Sequence, residues 1–362
     1  MKIINASYQF LKEDDINKKI ERVARICYKS EEKIGEGTDI KMINSLVSRN
    51  HLAMLEHASL AFRVDAATYN LIIDAINTIE QLILKAADKE SIRCYLRLTQ
   101  CAIPVSENMS KSRFIISGNM RAWIETLREL EILACVPPVL YEALMNNASA
   151  IMKASQLDSD IVCGVAEGYQ YEAFDGGFFA EVITDFTKLT PEERMVHEDM
   201  SVLFTVDRGI THELVRHRDC SFAQESTRYC NYNLGKFGQE ITVIEPCFWD
   251  TTPENGTPES IACYNAWYDS CTFAETQYFN IIHNGGTPQQ ARAVLPSSTK
   301  ADIVMTTNLR EWKHIFNLRA CDATGAAHPQ VKEVMVPCFK ELRDGDYNFA
   351  FENMLTMDEA IK

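Results

Sequence analysis

From residue 200 onward the apolar pattern switches back and forth between two repeats, and that alternation limits the fold more than any other feature. Met200 to Val206 alternates as a strand does, Ile210 to His217 has helical spacing, and Glu240 to Glu245 alternates again. A long helix is expected from about 259 to 283. Gly285-Gly286 stops it, and Thr287-Pro288-Gln289-Gln290 then reads as an N-cap, a proline in the first turn and a capping-box glutamine. Residues 301–307 suit a strand, 308–318 a helix, and 329–343 a last amphipathic helix behind Pro329. The amino-terminal part behaves alike, with an alternating opening, a helical stripe through Ile16, Ile20, Val23, Ala24 and Cys27, and a second through Ile40, Ile43, Leu46 and Val47. Leu60, Phe62 and Val64 then alternate as a strand. Interleaved strands and helices predict an α/β (α+β) fold.

The middle has another texture. Residues 66–87 are apolar and helix-prone, residues 133–140 contain Pro137-Pro138, and residues 172–178 contain Asp175-Gly-Gly. Between 151 and 200 eleven acids meet three bases, most simply a solvated face. A partial echo crosses this region. Glu56 and Phe62-Arg-Val64-Asp65 recur as Glu198 and Phe204-Thr-Val206-Asp207 at an offset of 142, and Asn119-Met-Arg121-Ala-Trp123 recurs as Asn308-Leu-Arg310-Glu-Trp312 at an offset of 189. Duplication and chance similarity of strand and helix patterns both account for it.

With 36 Lys plus Arg against 51 Asp plus Glu the chain carries a net charge of −15, which disfavours a nucleic-acid partner. No apolar run approaches membrane-spanning length. The start MKIINASYQF lacks a secretion-signal layout, and the twelve cysteines form no CxxC pair, so reduced thiols and a cytoplasmic setting are expected. Against that acidic background one cluster stands out. Between Arg216 and Arg228 lie three arginines, His217, Ser221 and Ser226. Arginine forks bind phosphate or carboxylate bidentately and serine hydroxyls add neutral donors, so this is a candidate anion site; pairing with surface acids is the competing reading. Cys220 within it is a nucleophile if its thiol is acidified, otherwise a small packing residue. His212 and His217 lack the i, i+4 spacing of a helical metal pair, so no metal is assigned, and no GxGxxG pattern exists for a Rossmann-type flavin site.

The order Arg216-His217-Arg218, seven residues, then Ser226, with Ser221 and Arg228-Tyr229 around it, resembles the flavin-dependent thymidylate synthase family. His51 to His57, Asp207-Arg-Gly-Ile-Thr-His212-Glu213, Thr287 to Pro296 with Arg292, Thr307-Asn308-Leu-Arg310-Glu-Trp, Phe316-Asn-Leu-Arg319 and Ala327-His328-Pro-Gln330 are similar to family segments in the same order.

The resemblance implies a central mixed or antiparallel sheet flanked by helices, with one discontinuous catalytic domain over 1–65 and 200–345, a mainly helical insertion or degenerate partial repeat over 66–199 and a tail over 346–362. It implies conversion of dUMP to dTMP, with methylenetetrahydrofolate as one-carbon donor and FAD, reduced by NADPH, as hydride carrier, in a homotetramer. It implies that dUMP is bound by Glu213, Arg216, Gln224, Ser226, Arg228, Arg292 and Arg319, and that Arg319 polarises the uracil ring. It implies FAD contacts at His51, Glu56, Arg216, His217, Arg218, Gln224, Asn308, Arg310 and His314. Three departures bear on this. His314 stands where many relatives have Asn, Gln224 where some have Glu, and Glu56 lies 151 residues before Asp207 where relatives need a few tens. The alternative reading is a catalytically inactive nucleotide- or flavin-binding protein on the same fold.

Overall fold

The computed structural model describes residues 1–66, 68–70, 72–73, 96–100, 112–132, 138–157, 179–228, 231–232, 235 and 238–360. The strands are β1 (Lys2–Ile4), β2 (Ser7–Phe10), β3 (Ser59–Asp65), β4 (Arg97–Gln100), β5 (Ser112–Asn119), β6 (Ala180–Val182), β7 (Asp199–Asp207), β8 (Ser221–Gln224), β9 (Thr242–Ile244) and β10 (Lys300–Asn308). The helices used below are α1 (Ile16–Tyr28), α2 (Thr38–Ser48), α3 (Met120–Ile132), α4 (Pro138–Ala154), α5 (Pro191–His197), α6 (Arg208–Leu214), α7 (Pro258–His283), α8 (Pro288–Ala291), α9 (Leu309–Arg319) and α10 (Pro329–Arg343). They fall into two units. Met1–Lys12, Val23–Glu32 and Met200–Lys362 form the first; Glu13–Arg22 and Lys33–Asp199 form the second.

The first unit is built on a sheet of order β2-β7-β10-β8. β2 runs antiparallel to β7 with Tyr8 opposite Phe204, and β8 antiparallel to β10 with Ala223 opposite Val304. β10 is the spine: Ala301, Ile303, Val304 and Met305 are wholly buried, as suits a strand covered on both faces. Over it lies α9, whose Trp312 stacks on Phe316 and donates its indole N–H to the Met200 carbonyl at 3.1 Å. Phe316 in turn packs against Phe339 of α10. β1 and β9 form a separate parallel ribbon, and α7 covers its Val243 through Cys271 and Tyr278.

The second unit has its own sheet, order β4-β5-β3-β6, antiparallel throughout. The described part of 66–199 is richer in helix than strand, yet three of its strands complete the sheet that holds β3. β3 therefore goes with residues after 66 and not with those after 200, because its hydrogen-bonding partners come from there.

Most expected elements appear within two residues of their expected ends. One does not. α6 stops at Leu214, and Arg216 N–H and His217 N–H instead reach back three residues, to the Glu213 and Leu214 carbonyls, so these two side chains leave a tightened turn and not a helix. The helix expected over 66–87 lies largely outside the described residues. No helix among the described residues is long and apolar enough to cross a membrane.

One polar insertion interrupts the apolar spine. The Asp302 carboxylate on β10 accepts from Lys29, Lys300 and, at 2.7 Å, the Thr205 hydroxyl, while Lys300 also donates to Glu225 at 2.9 Å. Burial alone pushes the Asp302 carboxyl upward, but Lys300 and Lys29 outweigh it and hold it below its ordinary 3.8. A carboxyl depressed in the fold stabilises it above the unfolded pKa, and that contribution is lost as the pH falls below 3.8. Asp302→Ala leaves Lys29 and Lys300 to share the single Glu225 carboxylate and should cost about 3–5 kcal/mol. Urea midpoints at pH 7 check this, and the difference between wild type and variant should shrink on acidification.

Candidate functional site

Two long strands of the first unit end on a polar side chain that starts a helix. Asp207 closes β7 and its Oδ1 accepts from Ile210 N–H at 2.8 Å; Asn308 closes β10 and its Oδ1 accepts from Glu311 N–H at 2.9 Å. Such caps contribute about 1 kcal/mol each and fix where the helix leaves the strand. Burial pushes the Asp207 carboxyl upward. Next to it, Gly209 leaves room that a Cβ would lack, since one would stand 3.1 Å from Asp207 Oδ1.

The two helices bring their ends together. Arg319, last residue of α9, donates from Nε to His217 Nε2 at 3.2 Å and from an Nη to Glu213 Oε2 at 3.1 Å. Among the described residues its other Nη group has no further partner. Glu213 sits on α6 and His217 in the turn after it, so the guanidinium is gripped from two positions four residues apart. Because Arg319 can only donate, His217 Nε2 must be the acceptor and the ring proton must lie on Nδ1. Burial, then the Arg319 and His314 charges, lower the His217 pKa to about 4. The imidazole is therefore neutral at physiological pH, with its N–H set on the far side of the ring.

Around this core the other candidate residues take distinct places. Arg216 and Arg218 flank His217 and are exposed. Gln224 closes β8 and donates from Nε2 to the Thr211 hydroxyl at 2.9 Å. Ser226 is anchored through its N–H to the Cys27 carbonyl at 3.1 Å, and Arg228 two residues later is exposed. Arg310 and His314 are exposed on α9, Arg310 in the first turn, where free backbone N–H groups favour anions. Asn308 is buried, its carboxamide oxygen used by the cap. Arg292 is exposed in the short turn after α8, whose capping box of Thr287 and Gln290 is present as the sequence predicts. His51 and Glu56 belong to the second unit, where His51 is exposed and Glu56 accepts from Arg121 at 2.7 Å. Tyr229 lies outside the described residues.

Cys220 is not an acidified thiol. Burial raises its pKa to about 12, so the packing reading holds. The anchoring of Arg319 by Glu213 and His217 joins residues about a hundred apart and has no local signal. Lys29 was also missed, although Lys300 and Asp302, polar residues on one face of an apolar strand, are a legible hint of a buried ion pair. One consequence is testable. With a folded pKa near 4 against an ordinary 6.5, His217 favours the fold above pH 6.5, and that contribution is lost as pH falls through 4. His217→Gln should flatten the pH dependence of the urea midpoint between those limits; an unchanged slope would show that the ring titrates normally.

Residues 143–345 match the family described as thymidylate synthase complementing protein. A flavin-dependent thymidylate synthase of Corynebacterium glutamicum is 31% identical over 150 residues, 38% of this chain and 54% of that protein. The Pyrococcus horikoshii enzyme of the same name is 29% identical over 43% of this chain and 66% of its own length, and that of Corynebacterium aurimucosum is 25% identical over 53% and 89%. The chain thus spans little more than half the length of the first of these relatives. Among solved structures, a UMP/dUMP methylase PolB from Streptomyces cacaoi bound with 5-Br dUMP aligns with 21% identity and a TM-score of 0.36, over 43% of this chain and 71% of that one. The family match covers more than half of the sequence and includes the whole Arg-His-Arg segment, both capped helices and Arg319: this chain belongs to the thymidylate synthase complementing protein family.

Proposed function

We propose that this chain methylates dUMP to dTMP, with methylenetetrahydrofolate as one-carbon donor and NADPH as the source of reducing equivalents. The observation that carries the reading is Arg319, an oriented guanidinium held by Glu213 and by neutral His217, whose chain neighbours Arg216 and Arg218 are exposed. Arg216, Arg228 and Arg292, with Ser226, supply the forked and neutral donors that a nucleotide phosphate needs. Gln224 and Glu213 contribute to the same nucleotide site, Glu213 chiefly by holding Arg319 in place.

The donor set also suits FAD. Arg218, Arg310 and the amino-terminal turn of α9 are cationic or N–H-rich and in water, which fits a pyrophosphate without a glycine-rich loop. Arg216, His217, Gln224, Asn308 and His314 complete the residues that would hold it. When bound, FAD supplies hydride. The chain's own part is electrostatic. As the uracil C5 becomes nucleophilic, negative charge builds on the N3 and O4 edge, and a fixed guanidinium there stabilises it with no enzymic thiolate. His217, uncharged at neutral pH, adds a hydrogen-bond donor at Nδ1 without repelling Arg319.

The named activity of the relatives supports this reading, as do free thiols at the described cysteines for a cytoplasmic setting. Ile261, Tyr268 and Phe273 on α7 are exposed, Phe273 at 66%, which supports assembly into a homotetramer.

Purified protein should be yellow, or become so on adding FAD; a colourless protein that binds no FAD sinks the reading. Arg319→Ala should keep the flavin but lower the dTMP-forming kcat by about 100-fold or more, as expected when a preorganised electrostatic donor is removed. Arg228→Ala should instead raise KM for dUMP by about 10-fold through a lost charge-assisted fork. Cys220→Ala should leave kcat within twofold. NADPH oxidation without dTMP, in the presence of all substrates, would favour the inactive binding protein instead.

A further inference from the structure

The sheets of the two units share one plan. Read from the edge, one runs β2-β7-β10-β8 and the other β6-β3-β5-β4. In each, a short edge strand pairs antiparallel with a long strand, a second long strand lies beside that one and launches a helix, and a short strand follows. The residues align as well as the order. Shifts of 124 and 189 carry the β4–β5 register onto the β8–β10 register: Arg97 opposite Ser117 becomes Ser221 opposite Thr306, and Gln100 opposite Phe114 becomes Gln224 opposite Ile303. At the edge, Val182 faces Phe62 where Tyr8 faces Phe204.

The local devices repeat too, at a shift of 142 for the first long strand and 189 for the second. Asp65 Oδ1 accepts from Thr68 N–H at 2.8 Å as Asp207 accepts from Ile210, and Asn119 Oδ1 accepts from Ala122 N–H at 2.8 Å as Asn308 accepts from Glu311. Trp123 packs against Phe62 at 5.3 Å as Trp312 does against Phe204 at 6.3 Å. Each indole N–H donates to a carbonyl of the first long strand, Leu60 or Met200, which are two positions apart once the shift of 142 is applied. α4 packs on β6 as α10 packs on β2. Chance could supply one N-cap; it does not supply strand order, register, both caps and the buried tryptophan at fixed shifts.

What does not repeat is the anion chemistry. Between the first long strand and the short strand, residues 208–220 carry Arg-His-Arg, whereas residues 66–96 contain only Lys85, Lys89 and Arg93 as bases. Between the short strand and the second long strand, residues 225–299 carry Ser226, Arg228 and Arg292, whereas residues 101–111 contain no arginine. On the helix, the position of Arg319 is Leu130 and that of His314 is Glu125. Arg121, at the position of Arg310, is kept but occupied: its Nε donates to Glu125 and an Nη to Glu56, both at 2.7 Å. Arg310 has no ion pair among the described residues. An anion approaching Arg121 would meet two carboxylates first.

We infer that the chain is a tandem duplication whose first copy has lost its anion site, so that one chain holds a single flavin, bound by residues of the Arg310 copy. The inference rests on the proposed FAD dependence. The copies also exchange their edges: β2 precedes β3 but pairs with β7, and β6 precedes β7 but pairs with β3. The sheet that carries the site is therefore finished by a strand from the far side of the retired copy.

The test is to count flavin released on denaturing full-length protein saturated with FAD, and to repeat it after substitution. One FAD per chain is expected, with occupancy within twofold of wild type in Arg121→Ala and affinity reduced at least 10-fold in Arg310→Ala. Arg310→Lys, which keeps the charge but not the fork, guards against misfolding and should fall between. Two FAD per chain, or loss of flavin in Arg121→Ala, overturns the inference while leaving the function standing. No FAD in any form defeats both.

Discussion

A helix that begins where a buried strand ends cannot leave its first N–H groups dry, and the first unit depends on how that constraint is met. Asp207 and Asn308 each offer one side-chain oxygen, a carboxylate and a carboxamide, as acceptor to the N–H three residues on, which turns the chain at a fixed angle from β7 and from β10. The two strands are neighbours and run in opposite directions, Thr205 bonding Asp302 and Ser201 bonding Thr306, so the helices start at opposite ends and α9 must run back from Asn308 to bring Arg319 to α6. Their far ends then meet through Arg319, Glu213 and His217. A guanidinium with five donors is hard to hold still in water. Here two acceptors on one helix end do it, and both are placed by the caps.

The charges at that meeting are arranged by sign. His217 is buried beside one cation and near His314, so protonation would put like charges together in a poor solvent; it stays neutral and accepts. Glu213 is the only anion in the grip, and it balances Arg319 while the flanking arginines remain in water, available to a ligand. Behind β8 the opposite arrangement holds. Lys29, Lys300, Glu225 and Asp302 neutralise one another in the interior, a structural cluster that leaves no charge to spare.

Much of this was legible in the sequence because it is local. The stop at Gly285-Gly286, the capping box at Thr287, α7, α9 and α10 all follow from residues within one turn of the event they mark. The Arg-His-Arg segment stood out because the chain is otherwise acidic. Three things were not legible. α6 ends at Leu214 although the apolar spacing continues to His217, since the chain tightens to i−3 bonds that periodicity cannot distinguish. The tie between Arg319 and residues 213 and 217 needs the sheet order that makes β7 and β10 adjacent. The grouping of β3 with later residues is a matter of strand pairing, which a single strand's pattern does not encode.

The echo between Glu56–Asp65 and Glu198–Asp207 was equally readable as chance until register was known. Register supports the duplication we infer because a slip of one residue would turn every side chain to the other face, so the same pairing in both sheets is a stringent match. What two copies retain then separates two kinds of constraint. Caps and the buried tryptophan persist in both because each is a folding requirement whose loss costs stability wherever it sits. An exposed arginine is under no such requirement once its ligand is gone. A carboxylate four residues along the helix is then favourable, as Glu125 is to Arg121, while the same carboxylate at His314 would cancel the cation that a ligand needs. On the duplication we infer, packing outlasts function in the first copy for that reason.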